Sequence, residues 1–150
     1  MDSKRHVSLY TDGSCFPNPG RGGYAAIVLD GRQRKEVSGG IGSSTNNRAE
    51  LIAVINGLSQ AASGSAVTVH TDSGYVARAF AEGLLEIWKE NGWRRIRTGE
   101  PVQNADLWKM LADTIAARNL SVTFHKLAAH RGHPLNERAD YLARKAAREK

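Results

Sequence analysis

Asp12, Glu50, Asp72 and Asp140 are four carboxylates far apart in the chain, each falling where a strand meets a helix or where a helix begins. Asp12 closes the apolar run Val7-Ser8-Leu9-Tyr10-Thr11, and Asp72 closes Val67-Thr68-Val69-His70-Thr71. Glu50 and Asp140 fall in the first turns of predicted helices. Acids held still in this way suit a hard divalent cation such as Mg2+, which takes oxygen ligands and keeps several waters. Two such ions roughly 3.5–4 Å apart clamp a phosphodiester, one generating the attacking hydroxide and the other stabilising the leaving oxygen. Each acid also has a plainer role. Asp12 can open an Asp-Gly turn, Asp72 can cap a helix, Glu50 can answer the helix dipole, and Asp140 can pair with Arg144 one turn on.

The elements that must position these acids are readable from periodicity. Residues 6–12 alternate as a strand does. Gly13–Gly23 is dense in Gly, Pro, Asn and Ser and reads as a tight connection. Strands follow at Tyr24–Leu29 and Lys35–Ile41, with Asp30-Gly31 marking the hairpin between them. Leu51, Val54, Ile55 and Leu58 recur on one helical face behind the cap residues at Thr45-Asn46-Asn47. A fourth strand spans 66–71, and helices follow around Val76, Ala79 and Phe80, over 84–91, and from Leu107 to about Asn119. A fifth strand spans 120–127, and a last helix carries Ala139, Leu142, Ala143 and Ala146. The order β-β-β-α-β-α-α-α-β-α predicts an α/β fold: a mixed five-stranded sheet with helices packed on both faces.

Composition narrows the class. One catalytic domain over 1–150 is expected, and the net charge of +6 favours a polyanionic partner. Residues 126–150 carry seven Lys/Arg against three Asp/Glu, so the charge is uneven. No apolar stretch is long enough to span a membrane, and the first six residues lack the apolar core of a signal peptide, so a cytoplasmic monomer is expected. The single cysteine, Cys15, excludes an intrachain disulfide and lies in the Gly/Pro/Asn-rich stretch with no evident base.

Two further clusters bear on chemistry. His130-Arg131-Gly132-His133-Pro134 puts two imidazoles in a glycine-containing loop, where a histidine can ferry protons at neutral pH. No Cys pair or second His pair completes a zinc set. Asn136 and Asp140 share one helical face. Residues 83–109 interleave Trp88, Trp93 and Trp108 with Lys89, Arg94, Arg95 and Arg97, pairing phosphate-neutralising groups with flat aromatic surfaces. Glu86, Glu90 and Glu100 dilute that charge, and Trp93 and Trp108 are expected to be partly core.

The flanking blocks Thr11-Asp12-Gly13-Ser14, Asn18-Pro19-Gly20, Thr45 to Glu50, Thr71-Asp72-Ser73, His130 to Pro134 and Asn136 to Asp140 each resemble a signature of the bacterial type 1 ribonucleases H, in order from Val7 to about Arg148. The resemblance implies a ribonuclease H-like fold and a magnesium-dependent endonuclease that cuts the RNA strand of RNA–DNA hybrids, leaving 5′-phosphate and 3′-hydroxyl ends. Mn2+ is a possible substitute. It implies that Asp12 bridges two ions, that Asp140 completes the water-activating site, and that Glu50 and Asp72 serve the leaving-group ion. His130 matches the loop histidine that assists proton transfer or product departure, while His133 is expected to be structural. Gly13, Ser14, Asn18, Asn46 and Asn47 resemble minor-groove contacts, with Asn136 in the same substrate-binding set. Thr45 and Asn104 resemble a pocket for a DNA phosphate. Residues 83–109 resemble a basic handle that holds the DNA strand. Such contacts suit recognition of the 2′-hydroxyl rather than of base sequence.

Departures from the family pattern are local. Gly74 stands where many members carry an amide, and Ala128-Ala129 replace a Lys-Gly pair ahead of His130. With only a short segment before Val7, a separate N-terminal hybrid-binding domain is not expected. Two rival readings are a related DNA-processing core of the integrase or transposase type, which lacks the asparagine set, and a non-catalytic hybrid-binding module. The latter should have lost an acid, and all four are present.

Overall fold

The computed structural model describes residues 5–128 and 133–149. Strands β1 (His6–Cys15), β2 (Gly20–Asp30), β3 (Gln33–Ser44), β4 (Ala66–Thr71) and β5 (Ser121–Lys126) form one sheet in the order β3-β2-β1-β4-β5. The pairs β1/β2 and β2/β3 are antiparallel, whereas β1/β4 and β4/β5 are parallel. The Asp30-Gly31 hairpin is present, and Gly31 has the positive φ of 63° that this turn demands. Helices are α1 (Asn46–Leu58), α2 (Gly74–Ala81), α3 (Leu84–Glu90), α4 (Ala105–Ala117) and α5 (Pro134–Arg148). The predicted order of elements is the observed one.

The stretch expected to be a tight connection is a correction. β1 runs on to Cys15 and β2 starts at Gly20, so only four residues connect them. The glycines there serve packing more than turning. A Cβ at Gly23 would lie 2.1 Å from the Ala143 carbonyl oxygen of α5. With Ala139, Ala143 and Ala147 all buried, small residues on both sides let α5 lie directly on β2.

The opposite face of the sheet holds the main core. Leu9, Val67 and Val69 from the strands meet Leu51, Val54 and Leu58 of α1 and Leu111 of α4, none more than 1 % exposed. Burying each such leucine stabilises the fold by about 1.5–3 kcal/mol, which fixes α1 against the central strand. On the other face, Arg138 of α5 donates two 3.0 Å hydrogen bonds to Glu36 of β3. These guanidinium bonds hold the Glu36 carboxyl down at about 2.

The consequence for positioning lies in the register. His6 pairs with Ala66 and Tyr10 with His70, a constant offset along two parallel strands. Continued by two residues, that offset sets Asp12 beside Asp72. Parallel neighbours thus bring two acids, distant in sequence, to the same end of the sheet.

Candidate catalytic carboxylate site

Gly13 governs how Glu50 reaches Asp12. A Cβ at Gly13 would lie 2.3 Å from the carbonyl carbon and oxygen of Ala49 and 2.6 Å from the Glu50 nitrogen. Without a side chain there, the start of α1 rests on the β1 backbone. The Gly13 amide also acts on both carboxylates, lowering the pKa of Asp12 and of Glu50. Thr45 caps α1 by accepting a 3.2 Å hydrogen bond from the Arg48 amide. Asp72 leaves β4 at a turn in which Thr71 Oγ1 accepts from the Ser73 amide at 3.0 Å. Ser73, not Asp72, caps α2.

Asp12, Glu50 and Asp72 each offer an oxygen within 4.8 Å of the others. Asp12 and Glu50 are buried, and Glu50 Oε1 has no hydrogen-bond partner. Asp140 approaches Asp12 through a side-chain hydrogen bond and is also gripped by Arg144 at 3.1 Å. The structure therefore brings three acids into one tight group, with the fourth attached through Asp12. Three placements differ from expectation: Asp12 lies within β1 rather than at its end, and Glu50 and Asp140 lie in the second turns of α1 and α5. The Asp-Gly turn is not formed; Asp12 and Gly13 are paired with Ala25 and Tyr24.

The electrostatics are those of crowded, desolvated like charges. Burial first, then the hydrogen bond to Asp140 and the charges of Asp72 and Asp140, push the Asp12 carboxyl up to about 8. Burial, with Asp12 and Asp72 beside it, raises Glu50 well above the ordinary range. Crowded buried carboxyls hold either protons or a cation. An all-oxygen donor set with one orphaned oxygen fits a hard divalent ion.

Around the acids the predicted contacts take definite places. Asn46 accepts from the Cys15 amide at 2.8 Å through Oδ1, and its own amide donates to Asn18 Oδ1 at 3.0 Å. These bonds tie the exposed Asn18 and Asn46 side chains to the end of β1, beside half-buried Ser14 and exposed Asn47. Asn104 donates to the Tyr75 hydroxyl at 3.0 Å and accepts from Arg48 Nη1 at 3.1 Å. Asn136 is buried, and its Oδ1 has no partner among the described residues. His133 caps α5, its Nδ1 accepting from the Leu135 amide at 3.3 Å. His130, like Ala129, lies outside the described residues. Cys15 is buried in β1 rather than in a loop, and burial pushes its thiol up, which disfavours a nucleophilic role.

The handle needs one correction. Trp108 is only 1 % exposed, in α4, with its indole nitrogen donating to the Tyr75 hydroxyl at 3.0 Å. It is core and cannot present a ring to a nucleic-acid strand. Trp88 lies against it with ring centroids 5.3 Å apart and planes tilted at 60°, and, like Trp93, is half-buried. Lys89, Arg94, Arg95 and Arg97 are exposed. The Arg94 guanidinium donates to the Gly99 carbonyl at 2.9 Å, closing the turn that carries them.

Arg48 lies inside the Thr45 to Glu50 block, half-buried in the first turn of α1. Its guanidinium sits beside Asn104 and makes a two-point pair with Asp106, at 2.7 and 3.0 Å. A cavity of about 880 Å³ is lined by Ser14, Cys15, Asn46, Arg21, Arg148 and Arg144, the partner of Asp140. Those arginines come from two elements separated by more than a hundred residues, and only the packing of α5 on β2 unites them.

The ribonuclease H family model matches residues 4–148. The chain is 45 % identical over 144 residues to a ribonuclease H of Thermus thermophilus, covering 96 % of this chain and 85 % of that protein. It is 46 % identical to the ribonuclease H of Aeromonas salmonicida, covering 95 % and 90 %. Among solved structures it is similar to LC9-RNase H1, a type 1 RNase H with the type 2 active-site motif, with a TM-score of 0.83, 25 % identity, and coverage of 99 % and 75 %. LC11-RNase H1, solved in complex with an RNA/DNA hybrid, shares the fold with a TM-score of 0.70 at 24 % identity, covering 95 % of this chain and 97 % of that one.

Proposed function

This chain belongs to the ribonuclease H family, and we propose on that premise that residues 1–150 form one catalytic domain in which Asp12, Glu50, Asp72 and Asp140 hold two magnesium ions. The protein is a nuclease that hydrolyses the RNA strand of RNA–DNA hybrids. When bound, such ions activate a water near neutral pH and neutralise charge on the leaving oxygen. The observation that carries this reading is the grouping of buried Asp12 and Glu50 with half-buried Asp72, like charges that each offer an oxygen within 4.8 Å of the others.

The chain's own residues supply position and discrimination. Asp12, on the central strand, belongs to the triad and also pairs with Asp140, which makes it the natural shared ligand. Asp140, held at 3.1 Å by Arg144, approaches from the opposite face of the sheet. Asn18, Asn46 and Asn47, with Ser14 and the Gly13 backbone, line the approach and can read a ribose hydroxyl by donating and accepting. Thr45, Arg48 and Asn104 form a second contact point for a phosphate of the DNA strand. The exposed Lys89, Arg94, Arg95 and Arg97 add charge further along, with Trp88 and Trp93 offering only partial ring surface. Asn136 and His130 belong to the α5 side of the centre, where His130 passes protons or escorts product. The products carry 5′-phosphate and 3′-hydroxyl ends, Mn2+ can replace Mg2+, and the protein acts as a cytoplasmic monomer.

One labelled RNA, presented single-stranded, as an RNA duplex and as a DNA hybrid, tests this on a gel. Cleavage is expected only in the hybrid and only with Mg2+. Cleavage that persists in EDTA, or that is as fast on the RNA duplex, overturns the reading.

A further inference from the structure

We propose that His70 and His125 form a second metal site, for a nitrogen-preferring transition-metal cation such as Zn2+ or Cu2+, separate from the carboxylate cluster. The two residues are register partners on the parallel strands β4 and β5. Their Nδ1 atoms lie 3.1 Å apart, with the rings edge to face at 86°. Two nitrogens bound at ~2.05 Å to one ion stand roughly 2.9 Å apart at a right angle and about 3.3 Å apart in a tetrahedron. The observed spacing falls between these values, so the two nitrogens are spaced as two ligands of one ion are.

The pair is held in place from below. Tyr10 of β1 stacks on His70 at 4.3 Å and 8°, which limits rotation of that ring. His133 packs on the other side of Tyr10 at 5.0 Å, and its Nδ1 is already committed to capping α5. It is therefore a support and not a third ligand. His125 is exposed and His70 half-buried, leaving the remaining coordination positions to water. In the metal-free protein the 3.1 Å contact is a hydrogen bond in which one ring donates and the other accepts. Binding moves the donor's proton from Nδ1 to Nε2, so both lone pairs reach the ion without a net loss of protons. Imidazole donors select Zn2+, Cu2+ and Ni2+, whereas oxygen donors select Mg2+. The two sites thus sort different cations, although His70 lies only two residues before Asp72. A bound ion ties β4 to β5 and stabilises the folded state by mass action.

Isothermal titration with ZnCl2 in excess Mg2+ tests the site on the full chain, comparing wild type, Asp12→Asn and His125→Gln. Wild type and Asp12→Asn are expected to bind one zinc alike, with zinc raising their melting temperature. His125→Gln should lose more than ~100-fold in affinity, beyond the ~10–100-fold that removal of a mere outer-shell partner costs. Equal zinc affinity in His125→Gln, loss of binding in Asp12→Asn, or no zinc binding by wild type overturns the proposal. Circular dichroism checks that His125→Gln is folded. Pulsed EPR of the wild type with one equivalent of Cu2+ needs no variant: two coupled imidazoles are expected, and one or none refutes the pair. None of these readouts depends on hybrid cleavage.

Discussion

Gly13→Ala is the substitution that most sharply separates packing from chemistry at this site. The added methyl would stand 2.3 Å from two backbone atoms of Ala49, where ordinary contact begins at 3.4 Å. The partners are backbone, so no rotamer change relieves the clash, and α1 must withdraw from β1 by roughly 1 Å. Overpacking of this kind costs about 1–3 kcal/mol of stability, which a fold with this core should survive. The catalytic cost should be larger, because a ~1 Å misplacement of a reacting constellation is worth ~10²-fold in rate. Glu50 rides on the displaced helix, and Asp12 stays on the strand. We predict a folded Gly13→Ala variant with a urea midpoint modestly lowered and kcat on a hybrid reduced on the order of 10²-fold. Stability by urea denaturation and kcat by single-turnover cleavage give the two readouts. A variant with wild-type kcat and a wild-type midpoint would refute the close-approach argument.

Three other expectations concern charge and contact. In EDTA, Asp12 has a folded pKa of about 8 against the ordinary 3.8, so the folded state holds a proton that the unfolded state releases between these values. That contribution is whole below about pH 4 and is lost as pH rises through about 8. Relative to Asp12→Asn, the wild type's stability in EDTA should fall between about pH 5 and about pH 9, and Mg2+ should restore more at the upper end; a rise across that range contradicts the shift. Asp106→Asn should release Arg48 for phosphate, lowering KM for a hybrid and steepening its salt dependence by up to ~1 in log–log slope. Because Asp106 is 64 % exposed, the melting temperature should barely move, and an unchanged KM would show that Arg48 does not meet substrate. At Gly74 an added Cβ would meet only the end of Lys126, at 3.5 Å, so Gly74→Gln fits and should lower KM by supplying a missing amide contact. An unchanged or raised KM in steady-state cleavage counts against that contact.

Much of the fold was legible because apolar periodicity and capping residues agree locally. Thr45 marks the start of α1, and the alternation over 66–71 gives β4 its observed bounds. The Gly-rich stretch after Asp12 misled for a physical reason. Glycine signals both turns and close approach, and here Gly13 and Gly23 serve contact with α1 and α5. The four acids were legible through their flanking blocks, but their unequal grouping was not. Whether Asp140 joins the triad directly depends on how far α5 sits along the sheet, which no local pattern encodes. Trp108 shows the same limit, since aromatic and basic residues interleave equally well on a core helix and on a binding surface. The partnership of Arg48 with Asn104 and Asp106, and the facing of His70 and His125, arise from helix packing and strand register across more than fifty residues. Sequence alone offers no measure of either.

The central claim is that the carboxylates act together through Asp12, and one comparison tests it most directly. Asp12→Asn keeps the side chain's size and removes the negative charge that binding of a divalent cation requires. Cleavage of a labelled RNA–DNA hybrid with Mg2+ should be abolished in this variant while its circular dichroism spectrum matches wild type. Undiminished hydrolysis by the folded variant would contradict the account.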